Sequence, residues 1–301
     1  MKNNVVRSPL FYVGDKYKII NEIKNHFPQN IHRFVEPFVG GGSVFMNTDA
    51  QEFLLNDIDR NIIEIHKMLC GYASNKDFFY KKVDSIVEQY GLSCSYKKDI
   101  VPKELKKDFV KTFYARFNKT GYEKLRFDYN HSSSRSVLML YMLLIYGFNR
   151  MIRFNRSGDF NLPVGNVDLN QNTIKALDDY FHLTTIKKPQ WYNLDFEDFI
   201  IQIDLTRDDL IYLDPPYLIT FSEYNKYWNE ETENRLLDLL NNLNNNNIRF
   251  AISNVTHYKG KENNFFLKWS QQYNSHPIKS NYISYHDNTN KIFKEVLVTN
   301  Y

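Results

Sequence analysis

The sequence is poor in cysteine and has no long hydrophobic run. Two cysteines among 301 residues, Cys70 and Cys94, cannot form a disulfide framework, and no metal-ligand spacing surrounds them. The longest apolar run, residues 137–148, is interrupted by two tyrosines and a glycine and is too short to cross a bilayer. Residues 1–7 lead into no apolar stretch of the signal type. These absences predict a cytoplasmic protein with no membrane partner and no structural metal.

Hydrophobic residues make up 43% of the chain, which is enough for the core of one large domain or two modest ones. The net charge of +3 is unevenly distributed, because residues 97–156 carry 14 Lys and Arg but only 5 Asp and Glu. A basic segment in an otherwise acidic chain predicts a surface that faces a polyanion such as nucleic acid. The alternative is a solvated helix face around residues 97–111.

Two strand patterns near the amino terminus are spaced as in a nucleoside site. Residues 33–38 read as a short buried strand that runs into three glycines, residues 40–42, and then into a helix. Residues 53–57 read as a second strand that ends at Asp57, followed by a helix over 61–68. A glycine turn lets the backbone approach a ligand, and an acid at the next strand end can accept both ribose hydroxyls. For Asp57 a helix cap is the alternative.

The strand and helix alternation stops and later resumes. Helical periodicity covers the segments around Ile86, Phe109 and Leu140, and a turn-rich stretch follows at residues 150–165. Strands are predicted again at 210–213, 248–253, 278–285 and 292–299, with a helix at 230–240. This order indicates an α/β domain that is interrupted by a helical insertion.

The most informative motif, Asp214-Pro215-Pro216-Tyr217, directly follows the apolar strand at residues 210–213. The two prolines fix the backbone and remove two donors, so that the Asp214 carboxylate and the Pro215 carbonyl can accept hydrogen bonds. An amine on a purine or pyrimidine offers two N–H donors in the ring plane, which these two acceptors match. Tyr217 can stack on the same ring. The alternative is an ordinary turn that ends a strand.

Together, the glycine motif and the later Asp-Pro-Pro-Tyr motif resemble those of the amino-group DNA methyltransferases that use S-adenosylmethionine. The order of glycine motif, insert and catalytic motif is similar to that of the Dam-type, class α, adenine-N6 enzymes, a family that includes type II restriction-modification methylases. The resemblance implies a Rossmann-like methyltransferase fold, α/β, with a mixed sheet and helices on both faces. It also implies an inserted, mainly helical target-recognition domain with a β-hairpin. The catalytic domain is then predicted at residues 1–65 and 186–301, and the insert at 66–185.

The resemblance also assigns residues to the cofactor, S-adenosylmethionine. Tyr12 and Lys16 match an amino-terminal element that cradles it, and Asp57 matches the acid that holds its ribose. Asp195 matches the acceptor for its adenine amine and Phe196 the ring that flanks the adenine, although Asp195 also suits a helix N-cap. The turn under the methionine portion is formed by Glu36, Pro37, Phe38, Gly40 and Gly42. Asp15 stands where relatives usually have a small residue or a second glycine.

The implied reaction is direct methyl transfer to the N6 amine, which needs no metal. The catalytic residues are Asp214, Pro215, Pro216 and Tyr217, and the target adenine must be flipped out of the duplex, with Tyr217 as its stacking partner. Residues 153–165 resemble the hairpin with which the family enters DNA. The resulting DNA-binding candidates are Arg153 or Arg156 for a base, Phe154 as a wedge and Asn155 for phosphate or base. The alternative is a plain surface hairpin.

Other functions remain open from the sequence. A cytosine-N4 or an RNA adenine methyltransferase could use the same amine-binding geometry, and a protein of this fold could bind DNA without catalysis. An acid in the first position of the motif favours adenine by family resemblance. The predicted partner is double-stranded DNA. The enzyme is predicted either to share its site with a cognate restriction endonuclease, without a stable complex, or to be an orphan methylase. The protein is predicted to be a monomer in the cytoplasm of a bacterium or a phage-infected cell.

Overall fold

The computed structural model describes residues 5–220, 228–279 and 293–301, which divide into two compact units. Unit 1 comprises Met1–Asp15, Gly40–Met46 and Asp59–Lys188, and unit 2 comprises Lys16–Val39, Asn47–Ile58 and Pro189–Tyr301. No helix in the described ranges is both long enough and apolar enough to span a membrane. The assignment of catalysis to residues 1–65 and 186–301, and of DNA recognition to 66–185, stays a prediction.

Unit 2 is built on an eight-stranded mixed sheet. Seven strands follow the order β3-β2-β1-β4-β5-β8-β7, and β6 pairs with β5 away from this path. The first five strands in this order are parallel to one another. Strand β8 is antiparallel to β5, and β7 is antiparallel to β8. The strands are β1 Arg33–Glu36, β2 Glu52–Asn56, β3 Gln190–Tyr192, β4 Leu210–Leu213, β5 Arg249–Tyr258, β6 Lys261–Glu262, β7 Asn274–Ile278 and β8 Phe293–Thr299. The predicted α/β class with a mixed sheet is therefore confirmed.

The apolar character of the central strands explains their position in the sheet. Every residue of β4 is buried, as expected for a parallel strand that is covered on both faces. Helix α10 (Glu230–Asn245) buries Leu236, Leu240 and Leu243 on one face, and the core that they join includes Ile211 of β4. The other helices of unit 2 are α1 Ile20–Lys24, α9 Phe196–Ile201 and α11 Asn264–Ser270.

A buried ion pair joins β1 and β4 at their amino ends. Arg33 donates from Nε to Asp209 Oδ1 at 3.0 Å and from Nη2 to Asp209 Oδ2 at 2.6 Å. The Asp209 side chain is fully buried and also accepts from the Thr206 backbone N–H at 2.7 Å. These hydrogen bonds and the Arg33 charge lower the pKa of Asp209 against the opposing effect of burial. The pair fixes two neighbouring strands at the end opposite to the predicted motifs.

One predicted strand is wrong at its start. The sequence predicts a strand at 278–285, whereas β7 covers Asn274–Ile278, and residues 280–285 lie outside the described residues. Pro277 lies inside β7, and a proline is unfavourable inside a central strand because it cannot donate to the ladder. Because β7 is the last strand of the sheet, it can hold a proline that a central strand could not.

Unit 1 is helical, with an apolar helix at its centre. Helix α7 (Val137–Tyr146) contains most of the longest apolar run of the sequence. All but two of its residues are buried, which identifies it as a core helix rather than a membrane segment. Its neighbours pack aromatic side chains beside it, with the Phe79 ring 6.3 Å from that of Tyr141. The helices that lie or begin in unit 1 are α2 Ser43–Asn47, α3 Arg60–Tyr72, α4 Lys76–Tyr90, α5 Lys103–Asp108, α6 Phe113–His131, α7 Val137–Tyr146 and α8 Gln171–Lys187.

Candidate active site

The Asp-Pro-Pro-Tyr motif lies at the topological switch point of the unit 2 sheet. The chain leaves β1 toward β2 on one side, and β4 lies on the other side of β1. Since β1 and β4 are parallel neighbours, the carboxyl ends that carry Glu36 and Asp214 open at the same edge. Ligands of open α/β sheets bind at this position. The fold therefore brings Glu36 and the Asp-Pro-Pro-Tyr motif to the same edge of the unit 2 sheet.

Both carboxylate oxygens of Asp214 are engaged. Lys16 Nζ lies 2.8 Å from Asp214 Oδ2, and the Tyr217 hydroxyl donates to Asp214 Oδ1 at 2.8 Å. Lys16 Nζ also donates to the Tyr217 hydroxyl at 2.8 Å. The Asp214 side chain is 19% exposed, while that of Lys16 is 3% exposed. Lys16, which the resemblance assigns to the cofactor, thus contacts Asp214, the predicted acceptor for the target amine.

A fourth member of this cluster, Glu295, was missed by the sequence analysis. Its side chain is fully buried, and its Oε1 lies 3.1 Å from the Tyr217 hydroxyl and 3.5 Å from Lys16 Nζ. It occupies a buried position of β8, two residues from the buried Leu297. A single acid on the core side of a strand alternation is the signal that could have identified it.

The phenol of Tyr217 stays protonated in this cluster. Burial raises its pKa well above the usual value, and the charges of Asp214 and Glu295 raise it further. A neutral phenol has one hydrogen, so Tyr217 can donate to only one of the two carboxylates at a time.

Asn56 holds the backbone around the predicted cofactor turn. Its amide Nδ2 donates to the Pro37 and Leu194 carbonyls at 3.0 Å each, and its Oδ1 accepts from the Leu194 N–H at 2.9 Å. The Asn56 carbonyl also accepts from the Val39 N–H at 2.8 Å. A fully buried asparagine at a strand end therefore joins the ends of β1 and β3. Glu36, beside this link, is 1% exposed.

Phe38 and Phe196, both assigned to the cofactor by the resemblance, lie together. Their ring centroids are 5.5 Å apart, and Trp228 packs edge-on against Phe38 at 5.6 Å. Asp195 is the N-cap of α9, because its side chain accepts from the Glu197 N–H at 3.0 Å. Arg235 Nη2 also donates to Asp195 Oδ1 at 2.8 Å. The cap alternative for Asp195 is confirmed, and its cofactor role stays a prediction.

The helix-cap alternative for Asp57 is wrong. The N-cap of α3 is Asp59, whose side chain accepts from the Asn61 N–H at 2.9 Å. Asp57 instead follows β2 directly, and its backbone carbonyl accepts from the Asn193 amide at 2.7 Å. The cap lies two residues further along than the sequence pattern indicated, which leaves ribose binding as the prediction for Asp57.

The glycine turn lies in unit 1 and adopts backbone angles that favour glycine. Gly40 has a φ of 47° and Gly42 a φ of 79°. A Cβ at Gly41 would lie 3.0 Å from the Tyr12 Cβ, so the backbone of the turn passes close to Tyr12. The Ser8 hydroxyl donates to the Gly41 carbonyl. Tyr12 and the glycine turn therefore lie close together in unit 1, and their contact with the cofactor stays a prediction.

His66 fixes the same turn from α3 and was missed by the sequence analysis. Its Nε2 lies 2.9 Å from the Gly40 carbonyl and its Nδ1 lies 2.8 Å from the Tyr180 hydroxyl. A carbonyl can only accept, so Nε2 carries the proton and Nδ1 accepts from Tyr180. Burial lowers the pKa of His66 to about 4.

This burial predicts an acid-sensitive unit 1. The unfolded chain protonates His66 near its ordinary pKa of about 6.5. The neutral imidazole therefore makes its full contribution to the free energy of unfolding above pH 6.5. This contribution is lost as the pH falls toward 4. We expect the free energy of unfolding, measured in urea, to lose about 2 kcal/mol from His66 between pH 7.5 and 5. His66→Gln should remove most of this difference, while the exposed His182→Gln should retain it. Equal pH dependence in all three proteins would contradict the assignment.

The DNA-binding candidates lie on a hairpin that turns at residues 155–159. Phe154 and Phe160 form an antiparallel bridge, with their rings 5.6 Å apart. Arg153 donates from Nε to Asn161 Oδ1 at 2.8 Å, and Asn155 Oδ1 accepts from the Asp159 N–H at 2.8 Å. Arg153, Phe154 and Asn155 thus make contacts within the hairpin, while Arg156 is exposed at its tip.

The described residues contain no group of three or more His, Cys, Asp or Glu side chains that could hold a metal ion. The chemical groups of the site are therefore carboxylates, an ammonium, a phenol, backbone carbonyls and aromatic rings. These groups suit an organic ligand that has hydroxyls, amines and a flat ring.

Comparison with known proteins gives a consistent result. Residues 12–283 match the family of D12 class N6 adenine-specific DNA methyltransferases. The type II methyltransferase M.FokI of Planomicrobium okeanokoites is 34% identical over 99% of this chain. The modification methylase StsI of Streptococcus sanguinis is 33% identical over 98% of it. The match covers 43% of each of these two proteins, so the chain spans less than half their length.

A shorter relative matches over most of both chains. The DNA adenine methylase of Salmonella typhi is 28% identical over 84% of this chain and 82% of its own length. The matched family region contains the glycine turn, the hairpin and the Asp-Pro-Pro-Tyr motif.

Proposed function

The chain belongs to the family of D12 class N6 adenine-specific DNA methyltransferases, and we propose that it methylates adenine N6 at a short site in double-stranded DNA. The methyl donor is S-adenosylmethionine. One observation carries the proposal: Asp214 stands at the carboxyl end of β4, beside the carboxyl end of β1, and is partly exposed. That position suits an acceptor for the amine of a base that enters the site.

Asp214 and the Pro215 carbonyl favour the reactive form of the amine. The N6 lone pair is delocalised into the adenine ring, which makes the amine a poor nucleophile. Two hydrogen bonds donated from N6 to these acceptors favour a pyramidal nitrogen, whose lone pair is available for attack. Correct placement and electrostatic stabilisation then supply most of the acceleration. Lys16 Nζ, 2.8 Å from Asp214 Oδ2, competes with the incoming amine for that oxygen.

The residues at the strand ends of unit 2 fit S-adenosylmethionine. When bound, this cofactor supplies a methyl group on a positively charged sulfur. Glu36 is a buried acid that can attract that charge, Asp57 can accept from the ribose hydroxyls, and Asp195 can accept from the adenine amine. Phe38 and Phe196 supply aromatic faces for the adenine ring. In unit 1, Tyr12 and the glycine-turn residues Gly40 and Gly42 remain predicted contacts of the cofactor.

The insert at residues 66–185 is proposed to bind DNA, and its basic charge supports this role. The target adenine is stacked in the duplex and must leave it at a cost of a few kcal/mol. Tyr217 is the proposed stacking partner of the flipped base. Arg156, at the hairpin tip, suits a base contact better than Arg153, which already binds Asn161.

Replacing Arg156 tests this interpretation of the hairpin. We expect Arg156→Ala to weaken specific DNA binding by about 10- to 100-fold and to relax the target sequence at one base pair, since one bidentate contact gives about 1–3 kcal/mol of discrimination. Binding to a set of single-base variants of the site measures both effects. Arg60→Ala, an exposed arginine of α3, is the matched control. A uniform loss across all sequences would assign Arg156 to phosphate instead.

The names of the relatives support a proposal for the biological setting. Two of them carry names of type II or modification methylases, and we propose that this chain protects DNA against a restriction endonuclease that acts on the same site. The proposed state is a monomer in the bacterial or phage-infected cytoplasm. An orphan methylase without an endonuclease is the second candidate, favoured by the similarity to DNA adenine methylases.

The decisive experiment is expression in a methylation-free bacterial host, followed by mapping of modified bases by single-molecule sequencing. N6-methyladenine at one short motif is the expected result. Methylcytosine would move the activity to cytosine N4. Soluble protein without any modified DNA base would favour an RNA substrate or a role in DNA binding without catalysis. A measurement of S-adenosylmethionine binding would then distinguish these two alternatives.

A further inference from the structure

Glu295 is the deepest acid of the catalytic cluster. It lies on β8, two strands away from β4 in the sheet, and its side chain is fully buried. Its Oε1 accepts from the Tyr217 hydroxyl at 3.1 Å and lies 3.5 Å from Lys16 Nζ. Its Oε2 is also buried and has no hydrogen-bond partner among the described residues. Such an acid is costly in a core, so its presence needs an explanation.

Among the described residues, the cluster of Lys16, Asp214, Tyr217 and Glu295 contains one cation and two anions. Lys16 Nζ lies 2.8 Å from Asp214 Oδ2 and 3.5 Å from Glu295 Oε1, so the single ammonium is shared between two carboxylates. Tyr217 is shared in the same way, because its one hydrogen can point to Asp214 Oδ1 at 2.8 Å or to Glu295 Oε1 at 3.1 Å. Asp214 and Glu295 therefore compete for the same two donors.

This competition affects the acceptor that the reaction needs. If Glu295 were absent, Asp214 would be the one carboxylate of the pair left to Lys16 and Tyr217, and each of its oxygens would keep a donor. An incoming amine would then share each oxygen with a donor that cannot turn to the second carboxylate. With Glu295 present, both donors have a second acceptor within reach when the amine arrives.

We propose that Glu295 is a positioning residue for methyl transfer, which accepts the Lys16 ammonium and the Tyr217 hydroxyl and so frees the Asp214 carboxylate for the target amine. This inference rests on the proposed function, since it concerns the same site. Glu295 acts through Lys16 and Tyr217 and does not itself contact the base.

Two substitutions separate charge from size. Glu295→Gln keeps the shape of the side chain but removes its charge, while Glu295→Asp keeps the charge and shortens the side chain. If Glu295 acts as a competing anion, the aspartate variant should retain more activity than the glutamine variant. If it only fills space, the order should reverse.

The measurement is the single-turnover rate of methyl transfer, with enzyme in excess over a DNA that carries the site and with saturating S-adenosylmethionine. We expect Glu295→Gln to lower this rate by about tenfold or more, with cofactor and DNA affinities changed by less than about threefold, since the lost effect acts on the chemical step. Glu262→Gln, an exposed acid of β6, is the control for the loss of one charge. A rate within about twofold of wild type, or a rate loss matched by lost affinity, would overturn the proposal.

A double-mutant cycle adds an independent test. Since Glu295 acts in part through the Tyr217 hydroxyl, Glu295→Gln should lower the rate less in a Tyr217→Phe background than in the wild type. Additive effects would overturn the link to Tyr217. If Glu295→Asp does not fold, Glu295→Gln and the cycle with Tyr217 still decide; if Glu295→Gln does not fold, the cycle is measured with Glu295→Asp. Failure of the proposed function is distinguishable, because wild-type protein would then transfer no methyl group to adenine.

Discussion

Replacing Asp214 with alanine should lower the rate of adenine N6 methylation by at least about a thousandfold, because it removes the main acceptor for the target amine. The remaining acceptor of the motif, the Pro215 carbonyl, can take only one of the two N6 hydrogens. The amine would then keep its planar, poorly nucleophilic form. The rate is measured in vitro with labelled S-adenosylmethionine, and the loss is checked in a methylation-free host by sequencing.

The size of this effect also reflects the other groups of the cluster. Without Asp214, Lys16 loses its 2.8 Å ion pair and Tyr217 loses its shorter hydrogen bond. Of the two carboxylates, only the buried Glu295 would then remain for the Lys16 ammonium. Asp238→Ala, an exposed acid of α10 in the same unit, is the control and should retain full activity. Cofactor affinity should change little, and a variant that still methylates adenine within tenfold of wild type would contradict the role of Asp214 as the principal acceptor.

Local patterns in the sequence predicted four of the five parallel strands, β1, β2, β4 and β5. The strand at 210–213 matches β4 in full, since a fully apolar tetrapeptide before two prolines suits a buried parallel strand. The predicted helix at 61–68 lies inside α3, Arg60–Tyr72, and is shorter than α3 at both ends. These elements depend on neighbouring residues, and for that reason the sequence shows them.

Contacts between distant residues could not be predicted in the same way. Lys16, Tyr217 and Glu295 come together only because β8 runs antiparallel to β5 in the sheet, an arrangement that no local pattern encodes. His66 was part of a predicted helix, but its contact with the Gly40 carbonyl depends on how that helix packs against the turn. The sequence therefore indicated which motifs matter, and the fold showed which side chains support them.

We expect the second large effect from a substitution at Gly42 in the glycine turn, because two constraints act on this residue. Its φ of 79° is unfavourable for any residue with a side chain, which costs about 1–3 kcal/mol. A Cβ at this position would also lie 2.4 Å from Phe45 Cε1 and 3.2 Å from His66 Cε1. Phe45 is fully buried and cannot move aside without disturbing the core of unit 1. Overpacking of this kind costs about another 1–3 kcal/mol.

Gly42→Ala should therefore lower the free energy of unfolding by about 2–6 kcal/mol, the sum of these two costs, and should weaken S-adenosylmethionine binding by at least about tenfold. Urea denaturation and calorimetric titration measure the two effects. The matched control is Gly71→Ala in α3, where nothing lies within 4 Å of the added Cβ. This control should be neutral or more stable by up to about 1 kcal/mol, since alanine favours a helix over glycine. If Gly42→Ala lost stability but kept full cofactor affinity, the turn would support the fold of unit 1 without contacting the cofactor.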